Sequence, residues 1–241
     1  MVTDAKRRLI VALDNDRLGA VYALARLLAD RVGMFKIGSQ LFTAEGRAAV
    51  EKLARGGPGI FLDLKFHDIP NTVARAVRAA AGLPGVRLID VHALGGVDMM
   101  RAAAQAVAGR RNRPKLVAVT VLTSLDAGAL ARVGIVGPPA TRAVKLARLA
   151  QRAGLDGVVA SAHEVRAIRR ACGKRFLIIV PGVRPAGTGR HDQARVATPA
   201  QAIRAGADYL VVGRPITAAR DARAAAAGIL EEISHALSSG I

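Results

Sequence analysis

The sequence predicts a single-domain (β/α)8 TIM barrel spanning residues 1–241. Two observations carry that reading. Eight short β-rich runs alternate strictly with longer stretches whose apolar residues recur at helical spacing, and such alternation implies parallel strands joined by crossover helices. The length of 241 residues is close to the ~250 usual for this barrel, which favours it over an open doubly wound sheet.

The β-rich runs, in order, are RRLIVALD (7–14), GMFKIG (33–38), GIFLDLKF (59–66), VRLIDVHA (86–93), KLVAVTVLT (115–123), DGVVASA (156–162), FLIIVPGV (176–183) and DYLVVGR (208–214). Between them lie amphipathic segments such as LGAVYALARLLADRV and ATRAVKLARLAQRAG. Glycines just before the next strand, as in RAGLDG and RAGADY, mark helix C-termini. The tail RDARAAAAGILEEISHAL reads as the last barrel helix. The longest loop-like stretch is RPAGTGRHDQARVA (184–197); a loop of that length inside a compact domain is usually functional.

Composition narrows the function classes. Hydrophobic residues make up 51% and aromatics only 3%, with no tryptophan, so the core is aliphatic. A lone cysteine, Cys172, excludes an internal disulfide and fits a reducing compartment. It reads as a partly buried helix residue near a C-cap, with no adjacent base to activate it. The start MVTDAKRRLIVALD lacks the order of a signal peptide, and no apolar run reaches the ~18 residues of a membrane span. The expectation is a soluble cytoplasmic protein with no membrane partner. The formal net charge of +18 raises the question of nucleic acid. Its arginines, however, are scattered through nearly every helix, and few aromatics are present for base stacking. No nucleic-acid partner is expected; the charge forms a solvated surface that helps steer an anionic substrate.

In such barrels the chemistry sits at the C-terminal ends of the strands. Here those ends carry Asp14, Lys36, Asp63 with Lys65, Asp90 with His92, Thr120 with Thr123, Arg184, and Gly213 with Arg214. Within FLDLKFHDIPNT (61–72), Asp63 and Lys65 are i and i+2 of a strand and face the same side, into the barrel mouth. Lys36 from the neighbouring strand is expected beside them, with Asp68 just past the strand end, where Pro70 begins a helix. The alternative is a structural salt-bridge network closing the barrel top. Buried ion pairs are costly to assemble, and that cost favours a catalytic purpose. At the opposite side, Gly213-Arg214-Pro215-Ile216-Thr217 opens a helix after the eighth strand, a suitable place for a phosphate, with Arg184 adding to the walls.

These residues bring a family into view. The run DLKFHDIPNT (63–72) resembles the signature of orotidine 5'-monophosphate decarboxylases. The likeness extends through LIVALD, FKIGSQLF, AVTVLTS, PGVRP, DQARVATP and VVGRPI, in family order. The resemblance implies decarboxylation of orotidine 5'-monophosphate to UMP and CO2, with neither metal nor organic cofactor. It implies that Lys65 donates the proton to C6 and that Asp63 and Asp68 flank it, Asp68 and Thr72 reaching across a homodimer interface. Lys36 and Asp14 resemble the residues that hold the ribose hydroxyls. Thr123 is similar to the residue near the pyrimidine, and Gln193, Gly213 and Arg214, with Arg184, resemble the phosphate end. The loop segment RHDQ departs from the family's more usual glycine- and acid-containing version.

Two other readings compete. Sugar-phosphate enzymes of the same superfamily share D-x-K-x-x-D but use Mg2+ and carry an acid near the end of strand two, where this chain has Lys36. A nucleic-acid or scaffolding role would exploit the charge and leave the strand-end cluster without purpose. His67 and His92 are read as supporting or structural residues, and His163 and His235 as helix-surface ones.

Overall fold

Eight parallel strands close into a ring in chain order: β1 (Leu9–Ala12), β2 (Met34–Gly38), β3 (Gly59–Phe66), β4 (Val86–His92), β5 (Lys115–Val119), β6 (Gly157–Val159), β7 (Leu177–Pro181) and β8 (Tyr209–Val212). The structure is a computed structural model that describes residues 2–185 and 197–239. The helices are α1 (Val2–Arg8), α2 (Leu18–Leu28), α3 (Ser39–Ala54), α4 (Pro70–Ala80), α5 (Gly96–Val107), α6 (Ala127–Arg132), α7 (Pro139–Arg152), α8 (Val165–Cys172), α9 (Pro199–Ala205), α10 (Arg214–Thr217) and α11 (Ala222–Ser238). The expected barrel and all eight strands are therefore present, several shorter than the apolar runs that announced them.

Two cores result from strand alternation. Ile10, Ala12, Met34, Phe61, Leu88, Val117, Ile179 and Val211 point inward and fill the barrel. The alternate positions pack against the helices, with Leu9, Val11, Phe35, Ile37, Leu62 and Ile89 fully or almost fully buried there. Strand pairing sets the heights at the mouth: Ala12 pairs with Lys36, Gly38 with Asp63, and Asp90 with Val117. Lys36, Asp63 and Asp90 each lie two residues beyond an inward core residue of their strand, so they form the layer above the apolar plug.

The first run differs from expectation. Arg7 and Arg8 belong to α1, and the strand starts at Leu9. Alpha-helical geometry wins there because the segment caps the barrel floor: Ala5 is fully buried, and an Arg8 Nη donates to the Ala207 carbonyl at 3.1 Å. Gly33 makes the approach possible, since a Cβ there would lie 2.8 Å from the Arg7 carbonyl oxygen and 2.9 Å from that of Lys6.

Charges also gather at the N-terminal rim, where the sequence reading assigned none. The Asp156 carboxylate accepts from the Leu116 N–H (2.9 Å), Arg113 (2.6 and 2.8 Å) and Lys115 (3.2 Å). Asp208 Oδ2 accepts from the Ile178 N–H (2.8 Å) and from Arg169 (2.6 Å). These aspartates satisfy strand-start amides, which is structural work.

Candidate active site

The charged layer at the mouth centres on Asp63. Lys36 Nζ lies 3.1 Å from Asp63 Oδ2 and 2.8 Å from Asp14 Oδ1, while Lys65 Nζ pairs with Asp63 Oδ1. Lys36 and Asp63 are each only 8% exposed. Asp14 and Lys65 are more open, with side chains 50% and 39% exposed, so the array offers its flanks to a ligand. Burial by itself would lower the Lys36 pKa, but Asp63 and Asp14 outweigh it and hold the ammonium charged. Burial likewise opposes ionisation of Asp63, yet Lys36 first, then the neighbouring Asp90 and Lys65, together hold its carboxyl down at about 2.

Lys65 reaches Asp63 by a route that simple strand alternation does not provide. Its φ is +48°, the one positive value at a non-glycine position among the described residues. The β3–β4 register also breaks between Leu62 and Phe66. A bulge of this type re-aims side chains at a strand end. The left-handed backbone costs on the order of 1–2 kcal/mol in a residue with a Cβ. Asp90 Oδ1 accepts the Lys65 N–H at 2.8 Å and holds the distortion in place.

Two cavities adjoin at this rim and share Pro181. One, of about 390 Å³, is lined by Asp14, Lys36, Arg184, Gly213, Arg214 and Thr217 among others. The second, of about 190 Å³, is lined by Lys65, Thr123 and the apolar Val119, Val121, Val159 and Ala160. The arrangement gives a cationic compartment suited to an anion and a small apolar one closed by an ammonium. Larger grooves elsewhere, such as the 550 Å³ one along α7, hold none of the strand-end residues.

The structure thus brings together Asp14, Lys36, Asp63 and Lys65, and places Arg184, Gly213 and Arg214 around the same mouth with Thr123 nearby. Arg184 is 6% exposed, and its N–H donates to the Ala197 carbonyl at 3.0 Å. Asp68 and Thr72 stand outside the cluster in the single chain. Both are exposed, and Asp68 Oδ1 accepts the N–H of the next residue, Ile69, at 2.6 Å. Gln193, and with it most of the 184–197 loop, lies outside the described residues.

Sequence reasoning missed Gly38. A Cβ there would fall 2.8 Å from Lys36 Nζ and 2.9 Å from Asp14 Oδ1, so only glycine leaves room for that ion pair. It also named Asp90 without giving it a role, although its position two residues after inward-facing Leu88 marks it as a mouth residue. His92 stacks on His67, ring centroids 5.2 Å apart, and its Nδ1 accepts the Leu94 N–H at 3.3 Å. Burial first, then His67 and Lys65, push the His92 pKa down to about 4.

Residues 7–229 match the family described as Orotidine 5'-phosphate decarboxylase / HUMPS family. The chain belongs to that family. It is similar to the Orotidine 5'-phosphate decarboxylase of Trichlorobacter lovleyi, 52% identical over 233 residues that cover 95% of this chain and 96% of the relative. The protein of the same name from Moorella thermoacetica is 55% identical over 235 residues, covering 95% and 93%. Among solved structures, the Orotidine 5'-phosphate decarboxylase from Lactobacillus acidophilus superimposes with a TM-score of 0.80 at 39% identity, covering 93% of this chain and 98% of that one. The family description carries two names, and one side chain at the mouth bears on the choice between them. At the end of β2 that side chain is Lys36, whose ammonium stands between Asp14 and Asp63.

Proposed function

We propose that the protein decarboxylates orotidine 5'-monophosphate to UMP and CO2 in pyrimidine biosynthesis, without metal or organic cofactor, and that Lys65 protonates C6. The observation that carries this reading is the Lys36–Asp63–Lys65 array at the mouth of the barrel. Loss of CO2 from C6 leaves a carbanion with no carbonyl placed to delocalise it. A preplaced ammonium stabilises that charge as it develops and then delivers the proton. Lys65 suits the task because its ammonium borders the small apolar cavity, where the dielectric is low. Asp63 stands beside it as the fixed anion against which the substrate carboxylate is held.

The remaining roles are assigned on the same basis. Lys36 and Asp14 hold the ribose hydroxyls. Arg184, Gly213 and Arg214, with Gln193, take the phosphate, and Thr123 contacts the pyrimidine. Phosphate binding remote from C6 supplies energy used at the reacting centre. The chain works as one catalytic domain in a cytoplasmic homodimer, each protomer lending Asp68 and Thr72 to its partner's site; their exposure and separation from the cluster in a single chain support that assignment.

A sugar-phosphate reaction with Mg2+ is disfavoured by Lys36: the end of strand two, where such enzymes carry an acidic ligand, holds instead an ammonium paired with Asp14 and Asp63, a poor metal ligand. The test is the absorbance change of orotidine 5'-monophosphate with purified, EDTA-treated protein. Conversion to UMP is expected, with Lys65→Ala abolishing turnover while UMP binding stays measurable. A Lys65→Ala variant of near-normal rate would overturn the role of Lys65. Failure of the folded wild type to act on this nucleotide, with turnover of a sugar phosphate on adding Mg2+, would overturn the assignment.

A further inference from the structure

Asp90 is fully buried, and no mechanism step above uses it. Its two oxygens have different surroundings. Oδ1 accepts the Lys65 N–H at 2.8 Å. Oδ2 is buried and no N–H or O–H donor among the described residues reaches it. Phe61 pairs with Leu88, so Asp63 and Asp90, each two residues further on, are neighbours on adjacent strands at the mouth. Two carboxylate oxygens attract each other only if a proton lies between them. Asp63 is held ionised by two lysines, Lys36 and Lys65, so the proton belongs on Asp90. Charge balance agrees: with Asp90 neutral, Asp14 and Asp63 match Lys36 and Lys65 one for one.

We propose that Asp90 is a positioning residue of this site: as a neutral carboxylic acid it donates a hydrogen bond to Asp63 and, through its other oxygen, anchors the backbone of Lys65. The inference rests on the decarboxylase reading only for its catalytic consequence. One side chain would then set both the orientation of the Asp63 carboxylate and the left-handed turn that aims the Lys65 ammonium. Burial and the neighbouring Asp63 charge both push the Asp90 carboxyl well above the ordinary range, with Lys65 opposing them. The charged groups that face it come from β3, namely Asp63 and Lys65; β5 offers Val117 at the paired position.

The test compares Asp90→Asn, which keeps one donor and one acceptor, with Asp90→Ala and the more space-filling Asp90→Val, which keep neither. Between the ordinary aspartate pKa of ~3.9 and the raised value in the fold, unfolding of the wild type releases the Asp90 proton, so raising the pH through that window costs the wild type stability that Asp90→Asn does not lose. The urea midpoint of Asp90→Asn is therefore expected to gain on the wild type as pH rises from about 5 to about 8. A gap that stays flat or narrows would show an ionised Asp90 and overturn the proposal. In turnover, Asp90→Asn is expected to keep kcat within about threefold, and whichever of Asp90→Ala and Asp90→Val folds to lose roughly tenfold or more with less change in KM. Wild-type kcat in the apolar variants, or an equal loss in Asp90→Asn, would overturn the positioning role. The stability comparison needs no substrate, so it stands apart from the failure of the decarboxylase reading itself.

Discussion

Lys36 Nζ lies 3.1 Å from Asp63 Oδ2, and both side chains are almost wholly removed from solvent. Each justifies the burial of the other. Lys36→Met would leave Asp63 with a single ammonium partner, and truncating one member of a buried pair costs about 3–5 kcal/mol. The expected outcome is a lower urea midpoint together with a fall in kcat of at least about a hundredfold, the scale of losing one preorganised charge. Equilibrium unfolding and steady-state kinetics on the same preparation check both.

Gly38→Ala places a methyl within 3 Å of the Lys36–Asp14 contact. Asp14 is half-exposed and can turn away, so the fold is expected to survive. Activity is expected to drop by roughly tenfold or more because the ion pair must separate. A thermal melt within a few degrees of wild type beside a depressed kcat/KM is the result to look for.

Arg214→Ala tests the anion end. An arginine hydrogen-bonded to a charged group contributes about 1.5–3 kcal/mol. KM is expected to rise by roughly ten- to a hundredfold, and added inorganic phosphite with a substrate lacking its phosphate would recover less rate than in the wild type. An unchanged KM would remove Arg214 from that role.

His92 supplies a pH dependence. Its pKa is about 4 in the fold against an ordinary value near 6.5. Above ~6.5 both folded and unfolded chains hold it neutral, so it contributes no slope there. As pH falls from ~6.5 towards about 4, the unfolded chain takes up a proton that the fold refuses, and stability is lost. His92→Asn keeps an acceptor for the Leu94 N–H and is expected to flatten that loss, read as denaturation midpoints at about pH 7 and about pH 5.

The barrel was legible because its strands are continuous aliphatic runs set between amphipathic helices, a pattern that survives errors of several residues at each end. Most of the site was legible for a related reason: strand ends in a parallel barrel converge, so Asp14, Lys36, Asp63 and Lys65 could be placed together from order alone. Other features were hidden. Arg7 and Arg8 precede an apolar strand and read as part of it, because the contact that makes them helical, with Ala207, lies far away in the chain. The turn at Lys65 depends on one hydrogen bond between strands, and the proton on Asp90 on burial beside the Asp63 carboxylate, neither of which periodicity encodes. Gly38 is invisible until the groups that would collide with its missing side chain are known.

The mouth of the barrel has two unlike walls: β2, β3 and β4 carry Lys36, Asp63 and Asp90, whereas β5 and β6 face them with Val119 and Val159. The charged wall belongs to adjacent strands of a closed ladder, so none of its members can withdraw without breaking the ring. The protein therefore has no inexpensive way to switch its chemistry off by rearranging these groups. Amide hydrogens of β2–β4 are expected to exchange only on global unfolding, and thermal inactivation to coincide with loss of the whole fold. Control over rate must then be exercised from outside that wall, by what fills the cavity and how fast it leaves.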